Sequence, residues 1–338
     1  MKRQPDETPF DEIRRAAVQV YAARHAMLRA AGEEYVALIT GILDDAGINY
    51  LSVSGRTKTV TSFAAKAVRQ RDGKPLYADP LREITDQIGV RVVTYLHSDV
   101  AAVAGLIDDQ MQVLDDRDLG QETASEGRFG YASRHLLVAP EPGSAVAIEH
   151  PTLAGLVASV QIRTVLQHAW AEFEHDIRYK GRIPEEHAPD LDRRFTLAAG
   201  LLELADREFS KIRDRLQVDM GAQPASAADD DPRISAQELA AFLAGQFPEA
   251  GWSRTDHYTW IAGLLLELGI ASLDELGEVL EDVDSDALNS RMQYRYPPGA
   301  VRRLDDALLA AYGERYVGLH LNSHRVELLR HRLDRLRD

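Results

Sequence analysis

Apolar and polar positions along this chain follow two periods, one of two residues and one of about 3.6, and their order predicts the elements. Short β-branched runs predict strands at residues 48–53, 90–96, 131–138 and 157–162, and Gly55 is expected to break the first of them. Helical spacing predicts one or two helices at residues 9–43, further helices at 62–71, 99–111 and 191–216, and a helix that follows the last strand and ends at residue 180. From residue 234 onward the spacing is almost wholly helical. The pattern therefore predicts an α+β region followed by an all-helical one.

A change of composition separates these two regions. The segment VDMGAQPASAADDDPRIS, near residues 218–235, is rich in small and acidic residues and contains proline, which is typical of a linker. We therefore predict a first domain at residues 1–217, a linker at 218–233 and a helical accessory domain at 234–338.

Composition and charge exclude several classes of protein. The 338 residues are 45% hydrophobic and 28% charged, as in ordinary globular proteins, and no apolar run is long enough to predict a membrane span. The N-terminus lacks the apolar core of a signal peptide, and the absence of cysteine excludes disulfides and thiolate metal sites, so a cytoplasmic protein is expected. The net charge of -15 argues against broad non-specific binding of nucleic acid.

A basic segment interrupts this acidic background between residues 56 and 74. Arg56 and Lys58 lie two positions apart in an extended stretch, so they point to the same side. Ser62 and Lys66 lie one turn apart on the helix that follows. Cations before a helix start, with a hydroxyl and a lysine on its first turns, indicate a cradle for phosphate groups, although a solvated basic helix face is the plain alternative.

Asp86 and Arg91 flank the entry to the next predicted strand. Mg²⁺ prefers one or two carboxylates together with substrate phosphates, so Asp86 is a candidate metal ligand near the basic cradle. A lone aspartate at such a place is also typical of a helix cap or a surface ion pair. The residues alone leave both interpretations open.

Alternation predicts a polar face on each of two strands. Tyr131, Ser133 and His135 share a face of the first strand, where a tyrosine can stack on a base and a histidine can contact a phosphate. Gln161 and Arg163 share a face of the second strand. A purely structural role is the alternative for His135.

The helix after this second strand has two stripes. Apolar residues recur every four positions, at Val165, Ala169, Phe173 and Ile177. A polar stripe consists of His168, Glu172 and His175. A strand face and a helix stripe that converge on one cleft suit a nucleotide phosphate, whereas an amphipathic helix with solvated charges is the alternative.

The chain resembles the synthetase domain of the RelA/SpoT alarmone enzymes in four blocks that occur in the same order. They are GRTKTVTSFAAK, DQIGVRVV, GYASRH and SVQIRTVLQHAWAEFEHDIRYK, and the last block resembles the small alarmone synthetases in particular. The resemblance covers about residues 55–180 and implies a mixed β-sheet core like that of nucleotidyltransferases, flanked by helices. It also implies a stand-alone synthetase, because the 54 residues before the first block are too few for the family's hydrolase domain.

The family moves the β,γ-pyrophosphate of ATP onto the 3′-hydroxyl of GDP or GTP. The resemblance therefore implies ATP as donor and Mg²⁺ as cofactor, with Asp86 as the metal ligand. It implies that ATP is bound by Arg56, Lys58, Ser62, Lys66 and Arg91. It implies a catalytic set of Asp86, Gln161 and Arg163, and an acceptor-binding set of Tyr131, His135, His168 and Lys180.

Two positions depart from the family pattern. The family has glutamate before the apolar-Gln-Ile-Arg-Thr run, where it helps to bind Mg²⁺ and to activate the attacking hydroxyl, and this chain has Ser159. Serine cannot replace a carboxylate as a base, so a substitute is expected from Glu122, Glu126 or Glu149, or else Asp86 and the phosphates hold the metal alone. Phe129 replaces the family's asparagine before Gly-Tyr, which puts guanine specificity in question.

Three functions follow as hypotheses. The first is a pyrophosphokinase that makes a (p)ppGpp-type alarmone from ATP and GDP or GTP. The second is a toxin-type relative that acts on the 3′ end of tRNA or on adenosine nucleotides. The third is a non-catalytic nucleotide-binding protein, motivated by Ser159. A membrane partner is not expected, and a homo-oligomer is one expectation because family members are often oligomers.

Overall fold

The computed structural model describes residues 9–119, 133–180, 188–221 and 234–337. Its strands are β1 (Tyr50–Thr57), β2 (Gln70–Arg71), β3 (Lys74–Pro75), β4 (Ile88–Thr94), β5 (Gln112–Asp118), β6 (Arg134–Ala139) and β7 (Ala158–Thr164). The helices up to residue 221 are α1 (Pro9–Asp45), α2 (Val60–Ala67), α3 (Pro80–Glu83), α4 (His97–Gln110), α5 (Ala145–Glu149), α6 (Val165–Lys180) and α7 (Ala188–Gly221). The later helices are α8 (Ala236–Gln246), α9 (Thr255–Leu268), α10 (Leu273–Glu281), α11 (Ser285–Met292), α12 (Ala300–Tyr312), α13 (Glu314–Val317) and α14 (Val326–Arg337). Within these residues, none of the helices has an apolar stretch long enough to span a membrane.

Five of the strands form one mixed sheet in the order β1-β4-β7-β6-β5, and β2 and β3 form a separate hairpin. β6 pairs antiparallel with both neighbours, which aligns His135 with Gln161 on one side and with Arg117 on the other. Helices flank the sheet, and the described chain after residue 234 contains helices only. The predicted α+β fold, with a mixed sheet and a helical C-terminal region, is confirmed.

The central strand β7 and the first part of β4 bury every second side chain, as strands do when one face of a sheet is covered, whereas Val93 and Thr94 at the end of β4 are both buried. The buried set, at most 2% exposed, consists of Val90, Val92, Val160 and Ile162. The opposite, partly exposed face carries Gly89, Arg91, Ser159, Gln161 and Arg163. This polar face of the sheet holds the residues that the sequence predicted as a site on β7.

β1 continues through Gly55, where the sequence predicted a break, and ends at Thr57. The prediction was wrong because Gly55 serves close packing and not a turn. A Cβ at Gly55 would lie 2.5 Å from Cγ2 of Val36 on α1, closer than real Cβ contacts. The glycine lets α1 pass close to the strand that leads to Lys58.

α2 is shorter than predicted. The helical spacing predicted residues 62–71, whereas α2 ends at Ala67, and Gln70–Arg71 pairs with Lys74–Pro75. Asp72 and Gly73 have φ values of 52° and 74°, the left-handed values that a two-residue hairpin turn requires. The Asp-Gly turn, and not the helical spacing, therefore determines the structure of this segment, which is a short hairpin.

The chain divides into two compact units. The first comprises Met1–Thr40, Ser52–Val93 and Gln110–Arg163, and the second comprises Gly41–Leu51, Thr94–Asp109 and Thr164–Asp338. α7 runs to Gly221, beyond the predicted start of the linker, and residues 222–233 lie outside the described range. The domain limits that we derived from the sequence therefore stay a prediction.

The second unit contains a buried ion network inside its apolar core. Arg325 and Arg332 each bind Asp305, with a nitrogen-to-oxygen distance of 2.6 Å in both pairs. Arg325 also lies 3.1 Å from Asp45 at the end of α1. Burial raises the pKa of Asp305, but the arginines outweigh it and hold that pKa far below its usual range. Burial of these charges is tolerated because each has a partner of opposite sign.

Candidate active site

The structure brings three of the predicted residues into direct contact. Nζ of Lys58 lies 2.9 Å from Oδ2 of Asp86, and Nζ of Lys66 lies 3.0 Å from Oδ1 of the same carboxylate. Lys58 directly follows β1, Lys66 lies in the last turn of α2, and Asp86 precedes β4. Their side chains are 13%, 24% and 36% exposed, so a ligand can reach all three from solvent. We call these three residues the Lys-Asp-Lys cluster.

The two lysines keep Asp86 ionised. Burial raises the pKa of Asp86, but hydrogen bonds and charges from Lys58 and Lys66 outweigh burial and leave the pKa below its ordinary value. Two ammonium groups around one carboxylate leave a net positive charge at a partly exposed place. Such a place suits a ligand that brings several negative charges.

The side chains around Asp86 fit one kind of Mg²⁺ site. Among the described residues, no three His, Asp or Glu side chains are arranged to hold a metal ion. Mg²⁺ accepts a site of one carboxylate completed by substrate phosphates and water. Asp86 provides that one carboxylate, so the residues present fit a metal that arrives with a nucleotide.

Two other predicted phosphate contacts adjoin the cluster along the chain. Arg56 and Ser62 are both exposed. The hydroxyl of Thr59 caps the N-terminus of α2, since it accepts from the backbone N–H of Ser62 and donates to Oγ of Ser62 over 2.9 Å. The start of α2 is therefore fixed, with the Ser62 hydroxyl at the surface.

A second group of polar side chains lies on the polar face of β5, β6 and β7. His135 stands directly between Gln161 and Arg117 in the register of the sheet. Nη2 of Arg163 donates to Oε1 of Gln161 over 3.0 Å, and Nε2 of His135 lies 2.6 Å from Oγ of Ser133. Directly paired residues have Cβ atoms about 5 Å apart on the same side of a sheet, so these side chains form one surface. We call it the His135 row.

The sequence analysis missed Arg117. Its strand, QVLDDRD, shows no clear alternation of apolar and polar residues, so no face could be assigned to the arginine. The pairing with His135 places Arg117 on the polar face, where its Nε lies 2.9 Å from Oδ2 of Asp115. Only the register between β5 and β6 could have revealed it.

Burial lowers the pKa of His135, and the positive charges of Arg163 and Arg117 lower it further. The imidazole is therefore neutral near pH 7 and can donate one hydrogen bond and accept another. An anion bound between the two arginines would offset their charge and raise the pKa of His135. The His135 row has the charge expected of a phosphate-binding surface.

The lowered pKa predicts how His135 affects stability. The unfolded chain binds the proton first as the pH falls, so the free energy of unfolding decreases as the pH drops through the ordinary value of 6.5 towards the folded pKa. Chemical denaturation at about pH 7.5 and about pH 5.5 measures this loss. His135→Gln, which does not titrate, is expected to lose less stability over this range. Equal losses in both proteins would contradict the assignment.

Ser159 lies on the same face as the His135 row. It pairs with Leu137 of β6, and a Cβ at Gly89 of β4 would lie 4.0 Å from its carbonyl oxygen and 3.6 Å from that of Arg56. Of the carboxylates predicted as substitutes, Glu149 is exposed on α5 and has no contact with Ser159 among those described, and residues 122 and 126 lie outside the described range.

The remaining predicted residues are only partly described. Residues 129 and 131 lie outside the described range, so the stacking role of Tyr131 stays a prediction. Lys180 ends α6, and its side chain is likewise not described. His168 lies on α6 in the second unit, where its Nδ1 is 3.8 Å from Oε1 of Glu172. The predicted pairing of these two residues on one stripe is present.

The predicted apolar stripe of α6 does not face a core. Phe173 and Ile177 are 52% and 41% exposed, whereas Trp170 and Gln167 are buried. Gln167 is buried because it caps its own helix: its Oε1 accepts from the backbone N–H of Thr164 over 2.8 Å, and Oγ1 of Thr164 accepts from the N–H of Gln167. The side of α6 that is buried therefore differs from the side that carries the apolar four-residue repeat.

Comparison with known proteins finds similar chains. A family model described as a region found in RelA and SpoT proteins matches residues 55–183. The GTP pyrophosphokinase YjbM of Bacillus subtilis (strain 168) is 31% identical over 169 residues, which are 49% of this chain and 72% of that protein.

Solved structures of small alarmone synthetases from Bacillus subtilis are also similar. Small alarmone synthetase 1 is 26% identical, with a TM-score of 0.46, over 58% of this chain and 97% of that one. The same enzyme bound to its product pppGpp is 27% identical, with a TM-score of 0.46, over 59% of this chain and 99% of that one.

Proposed function

Because this chain belongs to the RelA/SpoT family and is an enzyme of the GTP diphosphokinase type, we propose that it transfers the β,γ-pyrophosphate of ATP to the 3′-hydroxyl of GDP or GTP. The oxygen of the 3′-hydroxyl attacks the β-phosphorus and gives up its proton to solvent, the bond from that phosphorus to the α,β-bridging oxygen breaks, and AMP leaves. The observation that carries the proposal is the Lys-Asp-Lys cluster, with Lys58 and Lys66 on the two oxygens of Asp86.

The basic cradle is proposed to bind the donor. Lys58 and Lys66 exchange the carboxylate of Asp86 for phosphate oxygens when ATP binds, because phosphates carry more negative charge than one carboxylate. Arg56, Ser62 and Arg91 add further contacts to the triphosphate. Pyrophosphoryl transfer needs neutralisation of charge and in-line placement more than covalent chemistry, and fixed cations provide both.

Asp86 is proposed to hold Mg²⁺ once its lysines have moved to phosphate. When bound, this metal neutralises charge on the phosphate oxygens of the donor. The task of Asp86 in this chain is to keep an ionised carboxylate at the cradle, and its lowered pKa ensures that it stays ionised at neutral pH. Among the described residues no group of three His, Asp or Glu side chains could hold the metal, so the phosphates are proposed to supply most of the ligands.

The His135 row is proposed to bind the acceptor. Arg163 and Arg117 flank His135 and attract the 5′-phosphates of GDP or GTP, while Gln161 orients Arg163 through its 3.0 Å hydrogen bond. Tyr131 is proposed to stack on the acceptor base. His168 and Lys180, which the family resemblance assigned to the acceptor-binding set, are proposed to contact the acceptor as well. The proposed roles in catalysis for Gln161 and Arg163 rest on this placement of the acceptor beside the donor.

One assay tests the proposal against its alternatives. Purified protein is incubated with γ-labelled ATP, Mg²⁺ and, in separate reactions, GDP, GTP, ADP, ATP and bulk tRNA. Label on a guanosine nucleotide is the expected result. Label only on tRNA or adenosine nucleotides would instead support the toxin-type reaction. ATP binding without any transfer would favour a non-catalytic protein, for which Ser159 is the motivating observation.

We further propose that the chain forms a homo-oligomer through α7. Large apolar side chains at three- to five-residue spacing are 41–68% exposed along this helix: Leu197, Leu201, Leu204, Phe209, Ile212 and Leu216. The flanking charges are of both signs and pair within the helix, as Glu203 does with Arg207 at 2.5 Å, so they do not repel a second copy.

The double variant Leu201→Glu and Leu204→Glu tests this surface. Burying two charges of the same sign in a helix pair is unfavourable, so light scattering is expected to give a smaller mass for the variant than for the wild type. Glu203→Gln, at the flank of the same stripe, is the control and is expected to keep the wild-type mass. A monomeric wild-type protein would contradict the proposal.

A further inference from the structure

The peptide of Lys58 is held from two sides. Its N–H donates to the carbonyl oxygen of Gln87 over 2.9 Å. Its carbonyl oxygen accepts a hydrogen bond of 2.5 Å from the hydroxyl of Tyr21, and Nε2 of His25 lies 3.2 Å from the same oxygen. Tyr21 and His25 belong to α1, one turn apart, and Gln87 follows Asp86 directly. The backbone of Lys58 is therefore fixed between α1 and the segment that carries Asp86.

The ring of Tyr21 holds the helix that carries Lys66. Its plane stacks on Phe63 of α2 at a centroid distance of 4.0 Å and an angle of 3°. His25 meets the same ring edge-on at 5.9 Å. Tyr21 and Phe63 are both 0% exposed, so neither ring can move without opening the core. One tyrosine thus contacts the backbone of one cradle lysine and the helix of the other.

We propose that Tyr21 is a positioning residue for the donor site: it fixes where Lys58 and Lys66 present their ammonium groups to the phosphates of ATP. The inference rests on the proposed function, because that function assigns the basic cradle to ATP. A lysine is a flexible point charge, so its value in orienting a phosphate depends on how firmly its backbone is held. Tyr21 does not touch the substrate and acts through the two lysines.

The hydroxyl of Tyr21 is suited to this task at every physiological pH. Burial, and then the negative charge of Asp86, raise the pKa of Tyr21 to about 12. The phenol therefore remains protonated and remains a donor to the Lys58 carbonyl. A bound nucleotide adds negative charge at the cradle and favours the protonated form further.

The chain provides a matched control on the same helix. Tyr35 is also 0% exposed, and its hydroxyl donates to the carbonyl oxygen of Leu156 over 2.8 Å. Tyr35→Phe and Tyr21→Phe therefore remove the same atom from the same kind of bond, and both are expected to lower the melting temperature to a similar extent. Only Tyr21→Phe removes a contact to the cradle.

The experiment measures the affinity of the three proteins for a non-hydrolysable ATP analogue, and then the KM for ATP and for the acceptor. Tyr21→Phe is expected to weaken binding of the analogue and to raise the KM for ATP by about tenfold, with little change in the KM for the acceptor. Tyr35→Phe is expected to keep the affinity and both KM values within about twofold of those of the wild type. His25→Ala, at a partly exposed position, is expected to shift the same quantities in the same direction by about threefold. If Tyr21→Phe does not fold, the result for His25→Ala tests the positioning role instead.

The possible results distinguish the positioning role of Tyr21 from the proposed function on which it rests. Wild-type affinity for ATP in Tyr21→Phe, or equal weakening in Tyr35→Phe, overturns the positioning role and leaves the proposed function intact. A raised KM for the acceptor alone also overturns it. A wild-type protein that does not bind the ATP analogue would instead remove the proposed function on which the inference rests.

Discussion

Replacing Asp86 with asparagine is expected to lower the rate of pyrophosphoryl transfer by about a thousandfold, because the site loses its one carboxylate for the metal. Binding of ATP without metal is expected to be kept or strengthened. The amide no longer attracts Lys58 and Lys66, which lie 2.9 Å and 3.0 Å from the carboxylate of Asp86, so both become available to phosphate. Transfer rates and calorimetric titration with ATP, each with and without Mg²⁺, measure the two effects.

The opposite directions of these effects make the test specific. If Asp86 served only to hold its two lysines in place, its replacement would weaken ATP binding with and without Mg²⁺ alike. Asp190→Asn is a suitable control, since that exposed carboxylate pairs with Arg194 at 2.7 Å on α7, outside the proposed site. Transfer by Asp86→Asn at the wild-type rate would show that the metal assignment is wrong.

Ser159→Glu is expected to raise the rate of transfer by about ten- to a hundredfold, because a carboxylate there can act as a base towards the 3′-hydroxyl. Ser159 lies on the polar face of β7, two positions from Gln161. Its neighbours, Leu137 on β6 and Gly89 on β4, carry no charge that would repel a glutamate. The kcat for transfer to GDP at saturating ATP is the quantity to compare.

Ser159→Gln separates charge from size. Glutamine has nearly the same shape as glutamate but cannot accept a proton, so its kcat is expected to stay at or below the wild-type value. An equal gain in both variants would mean that packing, and not a base, limits the reaction. No gain in Ser159→Glu would mean that a carboxylate from another segment already performs this role, with Glu122 and Glu126 as the sequence-based candidates.

The sequence predicted the individual strands and the cluster around Asp86 from different signals, whereas the mixed arrangement of the sheet was implied by the family resemblance. β-branched runs marked β4 and β7 because both strands bury a complete apolar face, with Val92 and Val160 at 0% exposed. The cluster followed from spacing together with family resemblance, which placed Lys58, Lys66 and Asp86 in one site. Their mutual contact needs the fold, because 20 residues separate Lys66 from Asp86.

Other features could not be predicted because they depend on contacts between distant segments. Gly55 suggested a break, but only the passage of Val36 within 2.5 Å of a Cβ explains the glycine. Arg117 became part of the site through the register of β5 with β6, which the acidic strand itself does not indicate. Tyr21 is separated by 37 residues from the carbonyl it binds and carries no local motif. Local patterns predict elements, whereas the positions of these three residues are set by packing.

The balance of products from a single reaction tests the central claim most directly. The protein is incubated with ATP, Mg²⁺ and either GDP or 3′-deoxy-GDP, and the nucleotides are quantified by mass spectrometry. We expect one AMP for each GDP that gains two phosphates, and no product from 3′-deoxy-GDP. Formation of ADP in place of AMP, or transfer to the acceptor that lacks a 3′-hydroxyl, would contradict pyrophosphoryl transfer to that position.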